Sequence, residues 1–488
     1  MSEQQPLGKV LRLLDLTVFA GLSALILYTV SKHEPWADEA QSWLIARDLP
    51  WTRMVFSELR YEGHPPLWYS ILWPLNHLFH LPYVYLGYVG AAFAITGLAV
   101  LIFLAPFPRI LRYLIGSSFF FVYQYAVVAR SYLLVPLLGF LAAYFYRQGQ
   151  RRILAFGLTL ALLIQVSTHS AFLAVCMACF TAWQIASGWK NFSPDEQRRT
   201  IAAAAIVALS IVIFLVVVFP PHDTVGVAEA QSLPLQIHLL KTMSCLFGVF
   251  SNSIYVSAGF LLIACLWFLL NRGLLLMLPS VLGMAAVYGF LRGGQHHVGL
   301  VLVAFIVCVW MLWPDAEIFS TFSNDRRGVH LAFMVAFAML IGWQVTWSYV
   351  AIRNDWAGNY SGARDAAMFL KSVNAEQQGC SAFFFYPVGV QPYFDHNIFE
   401  NYGGPNASAF FHHSLGFARK VTVLTPAKLG SRYVLLAVND RSEQSRLRQT
   451  AFMEQFGYRL AFYSEGSEFF ENTLGEPQVY FVFERVNP

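Results

Sequence analysis

Apolar residues fill this chain in blocks about as long as a bilayer is thick, broken by short polar stretches. A helix needs ~20 such residues to cross the hydrocarbon core. By that measure the pattern predicts about eleven spans, over 10–31, 83–105, 110–128, 131–146, 153–168, 170–188, 200–219, 254–270, 274–291, 298–313 and 330–350. The first run is span-length and lacks a small-residue cleavage site, so it reads as a span and not as a removed signal. After residue 351 the pattern changes to charges, Gly, Asn and short alternating runs such as Ser381–Tyr386 and Arg432–Val438. The expected fold is therefore mostly α: a polytopic membrane unit over 1–350, then a small water-soluble α/β domain over 351–488.

The loops orient the spans. With Lys9 and Arg12 in the cytoplasm, alternate loops carry Arg109 and Arg112, then Arg147, Arg151 and Arg152, then Lys190, Arg198 and Arg199, then Arg272, then Arg326 and Arg327. Basic loops stay inside. This regularity holds only if 66–80 does not cross. That segment follows Pro65 and reads as a helix lying in the interface, started by Pro65 and Pro66, with Trp68, Tyr69 and Trp73 at headgroup depth. The outer side then receives the loop 32–82, Arg130, the Thr168-His169-Ser170 turn, the loop 220–253, the Arg292–His297 cluster and the C-terminal domain.

Composition agrees. The 488 residues are 57% hydrophobic and 12% charged, where a soluble domain carries about 25% charged residues. A formal net charge of +4 is too small and dispersed for nucleic acid. Cys176, Cys179, Cys245, Cys265, Cys308 and Cys380 fall mostly within apolar runs, which argues against a disulfide framework. No G-x-x-x-x-G-K-[ST] occurs, and no G-x-G-x-x-G opens a helix after a strand. Neither an ATPase nor a nucleotide-sugar Rossmann domain is indicated, so any activated donor must be reached from the outer leaflet.

The first outer loop is the richest stretch. It reads His33-Glu34-Pro35-Trp36-Ala37-Asp38-Glu39, then Tyr61-Glu62-Gly63-His64-Pro65-Pro66-Leu67-Trp68-Tyr69. An acidic pair soon after the first span, followed by Pro-Pro-Leu-x-Tyr, resembles the polytopic lipid-dependent glycosyltransferases of the GT-C class. More narrowly, it looks like the dolichyl-phosphate-mannose-protein mannosyltransferase family and its bacterial relatives, including the lipid A aminoarabinose transferases. Ala129-Arg130-Ser131-Tyr132 is similar to that group's A-R-x-Y, and Thr168-His169-Ser170 to its T-H-Y/S turn. One region departs: Arg292-Gly293-Gly294-Gln295-His296-His297 stands where many members have a basic-aromatic pair. The resemblance implies a polyprenyl-phosphate sugar donor, a glycan, lipid or protein acceptor, no required cofactor, and a bacterial inner membrane with the site facing the periplasm, an ER membrane being the alternative.

The chemistry asks for few groups. A polyprenyl-phosphate sugar already carries a good leaving group. The acceptor must lose a proton as it attacks, which a carboxylate can take, and the departing phosphate gains charge that cations stabilise. Asp38 is the expected base. Glu39 lies about 100° further round the helix and is expected to support Asp38 or bind substrate. Arg130, Arg292, His296 and His297 are candidates for the phosphate, with Tyr132, His169 and His64 beside them. A metal is not required, although the resemblance leaves open a divalent cation held by Asp38 or Glu39.

Each reading has a plainer competitor. The acidic pair could merely suit a helix N-terminus, Arg130 could be a snorkelling anchor, and His169 a satisfied helix-end residue. Tyr386, Tyr393, Asp395 and His396 could touch the acceptor or be ordinary domain surface, and His412-His413 reads as surface composition. The loop 220–253, with an amphipathic patch around Leu233–Leu246, is expected to cover the lipid groove. A flippase or a silent envelope scaffold are the rival functions. Against a transporter, the charges sit mostly at span ends and no internal repeat is seen.

Overall fold

The computed structural model describes residues 4–291, 293–358, 360–470 and 473–486. Its first half is built from α1 (Gln4–Lys32), α2 (Ala37–Asp48), α3 (Leu67–His77), α4 (Leu86–Leu104), α5 (Arg109–Ser117), α6 (Leu134–Arg147) and α7 (Ile153–Ile164). Then come α8 (Thr168–Gly188), α9 (Pro194–Val218), α10 (Leu235–Gly248), α11 (Ile254–Leu270), α12 (Leu274–Phe290), α13 (Gly299–Leu312) and α14 (Asn324–Ala357). Among the described residues, five helical stretches are long and apolar enough to cross a membrane: Lys9–Lys32, Tyr83–Leu104, Thr168–Asn191, Pro194–Val218 and Asn324–Ala357. Shorter apolar helices over Ser131–Arg147, Ile254–Leu270, Leu274–Phe290 and Gly299–Leu312 pack among them.

Local chemistry sets the ends. Ser193 caps α9, with Pro194 at its first position and Glu196 reaching back to the Ser193 N–H. Ser167 and Ser170 close the same kind of box on α8. The run 110–128 is not one helix. Ser118 turns extended, its hydroxyl bonds the Ile115 carbonyl, and the chain re-enters as a π turn over Phe120–Gln124. Gly157 lets α7 lie against α9, where a Cβ would fall 2.9 Å from that of Ala203.

The segment after Pro65 forms α3, whose 11 residues reach only ~17 Å, too short to cross. It packs beneath α2, where Trp73 Nε1 donates to the Leu49 carbonyl and His77 Nε2 meets the Ala46 carbonyl. Trp68 and Tyr69 are buried in protein and so are not displayed at headgroup depth, because α2 and its neighbours cover that face.

Basic clusters gather at one end of the bundle. Arg109 pairs with Asp15 on α1, Arg147 with Asp315, and Arg326 donates to Asn271. The other end receives α2, α3 and the C-terminal domain.

The last span does not stop near residue 350: α14 runs on to Ala357. Beyond it lie α15 (Ala363–Ser372), β1 (Cys380–Phe383), β2 (Tyr433–Val438), α16 (Glu443–Glu454), β3 (Tyr458–Phe470) and β4 (Thr473–Arg485). The sheet order is β1-β2-β4-β3, with β1 parallel to β2 and the other pairs antiparallel. This domain sits on α2. Gln41 exchanges two hydrogen bonds with the Phe411 backbone, Asp48 accepts from the Ala409 N–H, and Arg47 donates to the Phe394 carbonyl.

A buried imidazole ties the three layers together. His33, just past α1, places Nδ1 2.9 Å from Asp355 on α14 and Nε2 3.2 Å from Glu39 on α2. Burial disfavours its charge, but the two carboxylates outweigh burial and lift its pKa from 6.5 to about 10. The stabilisation is therefore complete below the unfolded value of 6.5 and fades as pH rises through about 10. Wild-type protein in detergent should lose melting temperature between pH 7 and 10, and His33→Gln should flatten that loss. Asp355→Leu, which leaves the imidazolium facing Glu39 alone, should lower the melting temperature by the loss of one charge-assisted contact, ~1.5–3 kcal/mol; unchanged melting would show that the tie to α14 does not stabilise the fold.

Candidate functional site

The two acids of the pair have separate surroundings. Glu39 is fully buried. One oxygen accepts from the Trp36 N–H at 3.1 Å and faces His33, and the other accepts from the Ala129 N–H at 2.6 Å. The first of these bonds is half of a capping box that starts α2; the last pins α2 to the residue before Arg130. Asp38, one position earlier, therefore faces that neighbour. Its carboxylate forms an ion pair with the Arg130 guanidinium, both groups being largely but not wholly buried. Burial is the largest influence on Asp38 and raises its pKa, but Arg130 and the neighbouring imidazoles together outweigh it and hold the carboxyl below the usual range. Burial is the largest influence on Arg130 and works against its charge, but Asp38 with Tyr132 and Tyr69 together more than compensate, raising its pKa.

Aromatic and imidazole groups surround the pair. Arg130 lies 5.6 Å over the Tyr132 ring. The Tyr132 hydroxyl stands 2.5 Å from His297 Nε2 and 3.4 Å from His64 Nε2. His297 Nδ1 lies 2.8 Å from the Gly294 N–H and 3.1 Å from the Gly294 carbonyl, so either ring tautomer serves the Tyr132 contact at Nε2. His169, at the start of α8, stacks on His297 at 4.7 Å, and His296 packs on Tyr132 at 5.4 Å. The short turn Gln295–His297 carries the two histidines, anchored where Tyr125 donates to the His296 carbonyl. Burial and then Arg130 push His64 down to about 3 and His296 to about 4, so both are neutral near pH 7.

The structure thus brings Asp38, His64, Arg130, Tyr132, His169, His296 and His297 into one group, with Tyr69 buried nearby on α3. Pro66 caps α3 and Gly63, at φ +68°, turns the chain so that His64 returns to the group. Arg292 lies outside the described residues. As for a divalent cation at the acidic pair, the Asp38 partner is already a guanidinium and the Glu39 oxygens are held by two backbone N–H groups and His33. His64 Nδ1 and His169 Nε2 are buried without a hydrogen-bond partner among the described residues.

Sequence reasoning missed a second acidic layer. Glu62 accepts from Gln41 at 2.8 Å, and burial, partly offset by that bond and Arg130, lifts its pKa to about 7. Burial and then Glu62 push Glu58 to about 8. His412 and His413 are not idle surface: their Nε2 atoms lie 3.6 Å from Glu58 and 3.7 Å from Glu62. They arrive there because Val225 and Leu415 knit 220–225 to 413–415 through backbone hydrogen bonds, while Tyr61 donates to Asp223. Elsewhere in the C-terminal domain, Tyr393 packs its ring 5.6 Å from Tyr83, Tyr386 accepts from Tyr480 through its carbonyl, and Asp395 is exposed. Nearness in sequence of Glu62 to His64 was the one signal that pointed to the acidic layer.

No family model matches the chain, and a search of curated proteins found no match. Solved structures do match. The crystal structure of ArnT from Cupriavidus metallidurans bound to undecaprenyl phosphate aligns with a TM-score of 0.53 at 11% identity, covering 96% of this chain and 97% of that one. The mostly α, polytopic, GT-C-like fold expected from the acidic pair and the Pro-Pro-Leu segment is the fold this membrane protein has.

Proposed function

We propose that the chain is a membrane glycosyltransferase that moves a sugar from a polyprenyl-phosphate donor to an acceptor at the outer face of the membrane, with Asp38 as general base. The observation that carries this reading is the Asp38–Arg130 ion pair, set among neutral imidazoles and a tyrosine at one end of a polytopic bundle. The fold likeness to ArnT, whose structure holds undecaprenyl phosphate, supports it. So do the basic loops at the far end, the pattern expected of a cytoplasmic face.

In this mechanism the donor phosphate takes Arg130 from Asp38. The guanidinium then makes charge-assisted bonds to the phosphate oxygens, and Asp38 becomes a stronger base as its cationic partner leaves. The acceptor O–H or N–H attacks the anomeric carbon, the bond from that carbon to the phosphate oxygen breaks, and the proton passes to Asp38. Polyprenyl phosphate departs with the electron pair, held by Arg130 and by hydrogen bonds from Tyr132 and His64. Glu39 does not touch substrate. It positions α2, so its neighbour meets Arg130. The reading needs no metal. The C-terminal domain, through its contacts on α2 and through His412 and His413, reaches the acceptor side, and 220–253 borders the same opening.

Purified protein given a polyprenyl-phosphate sugar should transfer it, and Asp38→Asn should lose ~10²–10⁴-fold in rate while still binding polyprenyl phosphate. Full activity in that variant would refute Asp38 as base. Lipid-linked sugar transport without transfer would make the chain a flippase. Arg130→Gln should weaken donor binding and kcat together. Ionised Glu62 raises the basicity of Asp38 beside it, so transfer should quicken as pH rises through about 7. Glu62→Gln should remove that inflection and His64→Asn should leave it in place; the opposite result would assign the titration to an imidazole.

A further inference from the structure

The far end of the bundle holds a second polar site. A cavity of about 480 Å³ opens between the ends of α6, α8 and α13 and the start of α14, with Tyr146, Arg147, Gln184, Asn271, Asp315 and Arg326 on its wall among apolar side chains. The same helices run from the candidate catalytic group. Tyr132 lies just before α6 and Arg147 ends it; His169 opens α8 and Gln184 lies in its last turns; His297 precedes α13 and Leu312 ends it. Fourteen residues of α6 separate the two sites by ~20 Å. On the orientation proposed above, they lie toward opposite leaflets.

The two arginines are unequal. Arg147 is committed: it pairs with Asp315 and donates to the Trp313 carbonyl. The described partners of Arg326 are neutral, the Asn271 side-chain oxygen at 3.0 Å and the Phe322 ring at 3.7 Å, and its Nε is buried without a hydrogen-bond partner. Asn271 and Phe322 hold the guanidinium plane still. A positive charge with no carboxylate of its own, fixed at the interfacial end of spanning helices beside a mixed polar and apolar cavity, is the environment in which basic pockets between helices take up lipid headgroups. We propose that this cavity binds the phosphate of an anionic lipid from the leaflet opposite the candidate catalytic group, with Arg326 as the principal contact and Gln184 and Tyr146 as its polar surround. The apolar wall receives the glyceride portion.

The test uses full-length protein in neutral detergent, stripped of lipid and titrated with phosphatidylglycerol, phosphatidylcholine or inorganic phosphate, with bound lipid counted by native mass spectrometry and melting followed in parallel. Phosphatidylglycerol should bind about tenfold more tightly than phosphatidylcholine, whose choline cation is repelled by Arg326 and offsets its phosphate charge. Arg326→Gln should erase that preference, and Arg327→Gln, one residue away, should keep it. Asn271→Ala, which frees the guanidinium without removing it, is the second variant should Arg326→Gln fold poorly, and it should lose about threefold of the preference. Equal binding of the two lipids by wild type, or an undiminished preference in Arg326→Gln, overturns the proposal. If inorganic phosphate stabilises wild type and not Arg326→Gln while the lipids do not differ, the occupant is a soluble phosphate and the lipid assignment fails.

Discussion

A carboxylate buried without solvent contact must be matched by donors on every side, and Glu39 is such a carboxylate. It accepts from Trp36 at the start of α2 and from Ala129 across the bundle, and it faces His33, which in turn meets Asp355 at the end of α14. Three distant stretches are thereby fixed around one side chain. The register of α2 against 129–132 follows from it, and so does the meeting of Asp38 with Arg130. The adjacent acids divide their labour through helix geometry: one turns inward and holds, while the other, about 100° round, faces the group of imidazoles.

The second layer depends on the first. Because α2 is held by its N-terminus, its outer face can carry the C-terminal domain through Gln41, Arg47 and Asp48. That docking brings His412 and His413 against Glu58 and Glu62. The site is consequently assembled from the first loop, the starts of two spans, the turn at 295–297 and a domain some 370 residues away in sequence. Its closure does not rest on any single loop.

Much of this was legible in order and spacing. Asp38-Glu39 before Pro65-Pro66, and Ala129-Arg130 before Tyr132, are local patterns, and apolar runs need no partner to be recognised, but the expected count of about eleven spans exceeds the five stretches long and apolar enough to cross, and the four shorter apolar helices, found among the described residues. What escaped was pairing at long range. His33 and Asp355 are 322 residues apart, and no periodicity links them. His412 and His413 look like surface residues because only the knitting of 220–225 to 413–415 turns them inward. Trp68 and Tyr69 read as interfacial aromatics because amphipathic helices at a membrane surface and helices buried beneath another element share one pattern. The break at Ser118 escaped because an apolar run records burial and not continuity of the helix.

The unbroken course of α14 past residue 350 has a consequence for the lipid around it. Its 34 residues measure ~51 Å, well beyond a hydrocarbon core of ~30 Å. Arg326 lies near one end and Asp355 near the other, so the helix acts as a ruler between the two ends of the bundle. The distance of the carboxylates and imidazoles from the far end of the helix is then set by a count of residues. A thicker or thinner membrane would be met by tilting that ruler, and the tilt would be felt first at the buried imidazole that joins it to α2.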